Sequence, residues 1–129
     1  MGEQMQITIN VSDEQLADTL ERAGSAYWVD RLRFEEVGAD GQPWAPEHSG
    51  CWHALMAGRI PRVVVMLNET HNGNPRYAVT RDSVARAVAI IAAQYPHHLG
   101  AVCGDNDAAD ANTGDVLLQC ASLGEVVYG

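Results

Sequence analysis

Residues Gln6 to Val11 alternate apolar Ile7, Ile9 and Val11 with polar Thr8 and Asn10, the period-two pattern of a strand with one buried face. A helix is predicted next. Ser12 and Gln15 have capping-box spacing, Asp13 and Glu14 fill the first turn where the helix dipole favours anions, and Leu16, Leu20 and Ala23 make one apolar stripe ahead of Gly24. Ala26 to Val37 reads as a second extended segment, opened by Tyr27 and Trp28 and anchored by Val29, Leu32 and Phe34. Its broken alternation predicts a bulge. Gly38 to Trp52 mixes Gly, Pro, Asp and Ser without a period, so a long loop is predicted at about 38–60.

In the second half, Arg62 to Leu67 and Tyr77 to Val79 are short β-branched or aromatic runs. Between them, Asn72-Gly73 favours the positive φ angles of a hairpin turn. Thr80 is a helix cap, and Val84, Ala87, Val88, Ile91, Ala92 and Tyr95 recur at three and four until Pro96 ends the helix. A last helix is predicted from about Asp110 or Thr113 to Leu123, with Val116, Leu117, Cys120 and Leu123 buried and Gly124 as its stop. The order segregates strands from helices and does not alternate them as βαβ. The expected class is therefore α+β, an antiparallel sheet of about four strands with three helices packed mainly on one face.

The chain has 129 residues, which suits a single domain over 1–129 with one core. No segment approaches the roughly 18 apolar residues of a membrane span, and Met1 opens no leader-like run. Location in the bacterial cytoplasm is expected. Cys51, Cys103 and Cys120 are an odd, widely spaced set that fits reduced thiols, with Cys120 in the core. The net charge is -9 with His neutral, so direct contact with nucleic acid or an anionic membrane is disfavoured and a protein with a basic surface is the expected partner. A homodimer is compatible with the sequence. All eight basic residues are arginines, as GC-rich coding would produce.

Several groups have chemistry to offer. Asp105, Asp107, Asp110 and Asp115 are hard oxygen donors, but their spacing departs from an EF-hand, so helix capping by Asp110 or Thr113 is the simpler expectation. His48, Cys51 and His53 form H-x-x-C-x-H, three of the four ligands a structural zinc would need, with Cys103 or the His97-His98 pair as the fourth. Ser49 and Cys51 are the nucleophile candidates, yet no hydrolase, phosphate-loop or metalloprotease signature accompanies them. An enzyme is the less favoured expectation, and no cofactor is expected. Tyr27, Trp28, Trp44, Trp52 and Tyr128 are available to stack on a base or on a partner's surface.

Tyr95-Pro96-His97-His98, Asp110 to Val116, Gln119 and the closing Leu123-Gly124-Glu125-Val126-Val127-Tyr128-Gly129 resemble a family of small phage- and prophage-encoded proteins of uncharacterised function. Ala23 to Trp28 is similar to that family's Gly-Gly-x-x-Tyr-Trp pattern, with Ala23 in place of the first glycine. Ser122-Leu123 stands where the pattern has Leu-Phe. The resemblance implies an accessory gene of a mobile element and supplies no reaction. Together with the acidity, it makes a non-catalytic protein that binds and inhibits a host protein the leading expectation, anti-CRISPR or other anti-defence action being its concrete form. A small-molecule or nucleotide-signal binding module and a metal-dependent or Cys/His enzyme are the alternatives.

Overall fold

Helix α1 (Asp13–Glu21) begins where its side chains can satisfy its own first turn: Ser12 Oγ accepts from the Gln15 amide at 3.0 Å, and Gln15 Oε1 accepts from the Ser12 amide at 3.5 Å. The computed structural model containing it describes residues 11–23, 26–33, 50–103 and 111–128. Leu16, Ala17, Leu20 and Ala23 are buried, as the stripe requires. The strand predicted over 6–11 lies outside the described residues, apart from Val11, which is not in a strand.

Strands β1 (Val29–Arg33), β2 (Val63–His71) and β3 (Asn74–Val79) pair antiparallel in the order β1-β2-β3. β2 and β3 are the predicted hairpin, longer than its apolar runs suggest. Asn72 at φ 50° and Gly73 at φ 80° make the turn. Cross-strand partners share a face. Val29 with Leu67, Leu32 with Val65 and Tyr77, and Val63 with Val79 point into the core. Arg31, Met66 and Arg76 form a row on the opposite face, beside Arg33, Val64 and Ala78. The predicted bulge falls between Val29 and Arg31, and a second irregularity lies between Met66 and His71.

Among the described residues there are five α-helices and three strands, where three helices and about four strands are predicted. The predicted helices are the long ones, α1, α3 (Arg81–Gln94) and α5 (Ala111–Leu123). The additions are one-turn pieces. Residues 38–49 of the loop predicted at 38–60 lie outside the described residues, and within the remainder helix α2 (Cys51–Met56) is a correction: Cys51, Trp52, Ala54, Leu55 and Met56 are all buried, so tertiary packing holds six residues that are too few for a periodic signal. A 3₁₀ turn (Pro96–His98) and α4 (Leu99–Cys103) follow α3. Thr113 does not cap α5. It is the helix's third residue and is buried, while Asp110 lies outside the described residues.

The five α-helices and three strands contribute to or pack against one apolar cluster, in which Leu20, Leu55, Ile60, Ile91, Leu117 and Val102 are almost wholly buried. Helix α5 reaches the C-terminal end of α1 through Gly114. A Cβ placed there would stand 2.5 Å from Thr19 O and from Ala23 N, backbone atoms that cannot rotate away. We predict that Gly114→Ala destabilises the fold by about 1–3 kcal/mol through overpacking, seen as a lower urea midpoint with an unchanged slope.

Candidate functional site

Gln119 is fully buried on the inner face of α5, and its amide is used at every position. Oε1 accepts from the Val127 and Tyr128 amides, each at 2.8 Å, while Nε2 donates to Tyr128 O at 3.0 Å and to Asp115 Oδ2 at 2.9 Å. Two donors and two acceptors is all that an amide has. The side chain acts as a short piece of partner strand for the C-terminal segment, which Gly124 turns back along the helix at φ +83°. Tyr95 adds to the clasp, its hydroxyl oxygen accepting from the Val126 amide at 3.3 Å.

The other oxygen of Asp115 accepts from the indole N–H of Trp28 at 2.6 Å. Trp28 is buried, and its ring lies parallel to that of Tyr128, 7° apart in plane with centroids at 5.3 Å. Tyr27, 64% exposed, stands edge-on to Tyr128 at 86° and 6.0 Å. Asn68 fixes the Tyr27 backbone, donating from Nδ2 to its carbonyl at 2.5 Å. Tyr27, Trp28, Tyr128, Asn68 and Glu69 thereby line an open pocket of about 310 Å³. The Glu69 side chain is exposed, and its carboxylate has no hydrogen-bond or ion-pair partner among the described residues.

The other sequence-derived candidates lie apart from this pocket. Trp52 is 4% exposed inside the core, so it stacks on no ligand. Cys51 is also buried; its thiol is pushed up to about 12, first by burial and then by the nearby Glu21 carboxylate. Cys120 is raised to about 11 by burial. Burial thus favours the neutral thiol at both positions, which counts against Cys51 as a nucleophile. His53 joins α2 to α1, with Nε2 2.7 Å from Asp18 Oδ1 and Nδ1 3.9 Å from Glu21 Oε1. His97 and His98 lie ring against ring at 4.3 Å, and His98 Nδ1 is 3.4 Å from Thr113 Oγ1. Among the described residues no group of three or more His, Cys, Asp or Glu is arranged to hold a metal ion. His48, Trp44, Asp105, Asp107 and Asp110 lie outside the described residues, and so does the Cys103 side chain.

No protein-family model, curated protein or solved structure matches this chain.

Charge is unevenly divided along the chain. The described residues hold all eight arginines and nine of the seventeen carboxylates, a net charge of -1. The other eight carboxylates, Glu3, Glu35, Glu36, Asp40, Glu47, Asp105, Asp107 and Asp110, fall in segments 1–10, 34–49 and 104–110, which contain no Arg or Lys. Among the described residues, no helix is long and apolar enough to cross a membrane.

Sequence reasoning selects Tyr27, Trp28, Tyr128 and Asp115, with Asp115 taken as part of an acidic cluster. Its two oxygens in fact bind Trp28 and Gln119, inside the fold. Glu69 and Asn68 went unselected because an isolated Asn-Glu pair in a strand carries no motif.

Gln119→Glu keeps the shape but loses two donors and places a second carboxylate against Asp115 and Tyr128 O. We predict a loss of about 3 kcal/mol at pH 7 by urea denaturation. The loss should shrink as pH falls through the carboxylate range, because the protonated acid regains a donor. The raised thiols give a second expectation. In a Cys103→Ser variant, Cys51 and Cys120 should resist thiol reagents in the native state and react on unfolding. Their folded values lie above the ordinary thiol value of about 8.5, so their contribution to stability is complete below that pH and is lost as pH rises towards 11–12. A pH series of melting temperatures checks the sign.

Proposed function

We propose that this protein acts by docking, without covalent chemistry, on a host protein that presents a basic surface, and inhibits it. The observation that carries this reading is the division of charge: a nearly neutral described scaffold, with the excess of carboxylates in three segments that hold no cation. Concentrated negative charge accelerates encounter with a cationic partner and repels nucleic acid and anionic lipid. The high thiol values of Cys51 and Cys120 count against nucleophilic catalysis. A nucleotide-signal module is the weaker alternative, since the residues lining the aromatic pocket include no Arg or Lys to hold a phosphate.

The resemblance to small phage and prophage proteins supports a role in a mobile element, and anti-defence inhibition inside the bacterial cytoplasm is the concrete form proposed. Asp105, Asp107, Asp110 and the acids of 34–49 are the proposed steering charges. In host lysate the protein should capture one defined basic protein, with recovery falling steeply between about 50 and 300 mM salt. Asp105→Asn/Asp107→Asn/Asp110→Asn should slow that association several-fold while leaving the melting temperature near its original value. Salt-independent capture, or unchanged association by the triple variant, would remove electrostatic docking as the mechanism.

A further inference from the structure

We infer that the pocket formed by Tyr27, Trp28, Tyr128, Asn68 and Glu69 receives an arginine side chain of the docked partner. This inference rests on the docking reading above and names the chemistry of one contact within it.

Three features of the pocket point to a planar cation. Its walls are aromatic: Tyr27 and Tyr128 stand at 86° and form a corner of two rings, with Trp28 stacked beneath Tyr128 at 5.3 Å. Aromatic faces attract cations through the ring quadrupole, and a guanidinium also stacks flat on them, which an ammonium does not. Glu69 lines the same pocket with a carboxylate that has no partner among the described residues. A carboxylate offers two oxygens in the geometry that a guanidinium fork matches. Finally, the described lining residues include no Arg or Lys, so none of them repels a cation or neutralises a phosphate.

The volume of about 310 Å³ lies at the small end for ligand sites, which suits one side chain better than a nucleotide. The site is also pre-formed. Tyr128 is held by Gln119 at its amide and its carbonyl, Trp28 by Asp115, and the Tyr27 backbone by Asn68, so binding would order little of the backbone that is not already ordered.

The test uses a short peptide containing several arginines and its lysine counterpart of equal length and charge, titrated calorimetrically into the full chain. Matching the charges cancels the general attraction of an acidic protein. The arginine peptide should bind at least about threefold more tightly, and Tyr27→Ala or Glu69→Gln should abolish the preference. Both positions are exposed, and an unchanged melting temperature verifies that the variants are folded. Movement of the Tyr27 and Tyr128 ring resonances in the intact protein on titration would locate the contact.

Equal binding of the two peptides, or a preference that survives both substitutions, would overturn the inference. So would displacement of the arginine peptide by adenosine at comparable concentration, which would assign the pocket to a nucleobase. The two readings fail separately. Absence of the arginine preference alongside salt-sensitive capture of a basic protein defeats the pocket and leaves docking intact. A preserved preference with no protein captured from any host defeats docking and leaves the pocket's chemistry standing.

Discussion

One buried amide organises the C-terminal third of this molecule. Gln119 has no access to water, so each of its four hydrogen-bonding positions has to be met from within, and all four are. Meeting them fixes Val127 and Tyr128 against α5. With Tyr128 fixed, its ring becomes the surface on which Trp28 lies flat, and the Trp28 indole returns to Asp115, one helical turn before Gln119. The network is closed, joining a strand entry, a helix and the chain's last described residues. Removing a partner of buried Gln119 or of the buried Trp28 indole leaves a polar group stranded in a low-dielectric interior, which is a larger loss than one hydrogen bond.

This network gives a physical account of residues that look like a functional motif. Gly114 lets α5 approach α1, Asp115 and Gln119 hold the indole and the tail, Gly124 supplies the reversal, and Tyr128 ends it. Each has a folding role. The surface available to a partner lies just outside them, where Tyr27 and Glu69 project. Internal latch and external pocket thus share Trp28 and Tyr128, one side of each being committed to the fold.

Much of the architecture was legible in the sequence because local signals and tertiary packing agree. The Ser12 and Thr80 caps, the Asn72-Gly73 turn and the stripes of α1, α3 and α5 are dictated by neighbours within four residues. What was not legible depends on distant contacts. Cys51 to Met56 is helical because its surroundings bury it, and six residues show barely more than one period. Asp115 reads as one of a group of oxygen donors because its partner Trp28 lies 87 residues away. The pocket was half visible: its aromatic residues are conspicuous by type, whereas Glu69 and Asn68 become part of it only through pairing with β1.

One irregularity of the sheet lies just after Tyr27 and Trp28, and the other contains Asn68 and Glu69. Such an irregularity separates the side-chain phase on one side of it from the phase on the other, because the unpaired residues are absorbed locally; between the pairs Met66–Arg76 and His71–Asn74, β2 has four intervening residues and β3 one. Here that separates the core positions Val63, Val65 and Leu67 from the arm leading to the hairpin turn. Descendants of this chain can therefore gain or lose a residue in the arm, exchanging which side chain overlooks the pocket, without turning the valines out of the interior. On the docking proposal, the rim can then vary with a changing partner while the scaffold stays still, a useful division of labour for any protein whose target evolves to escape it.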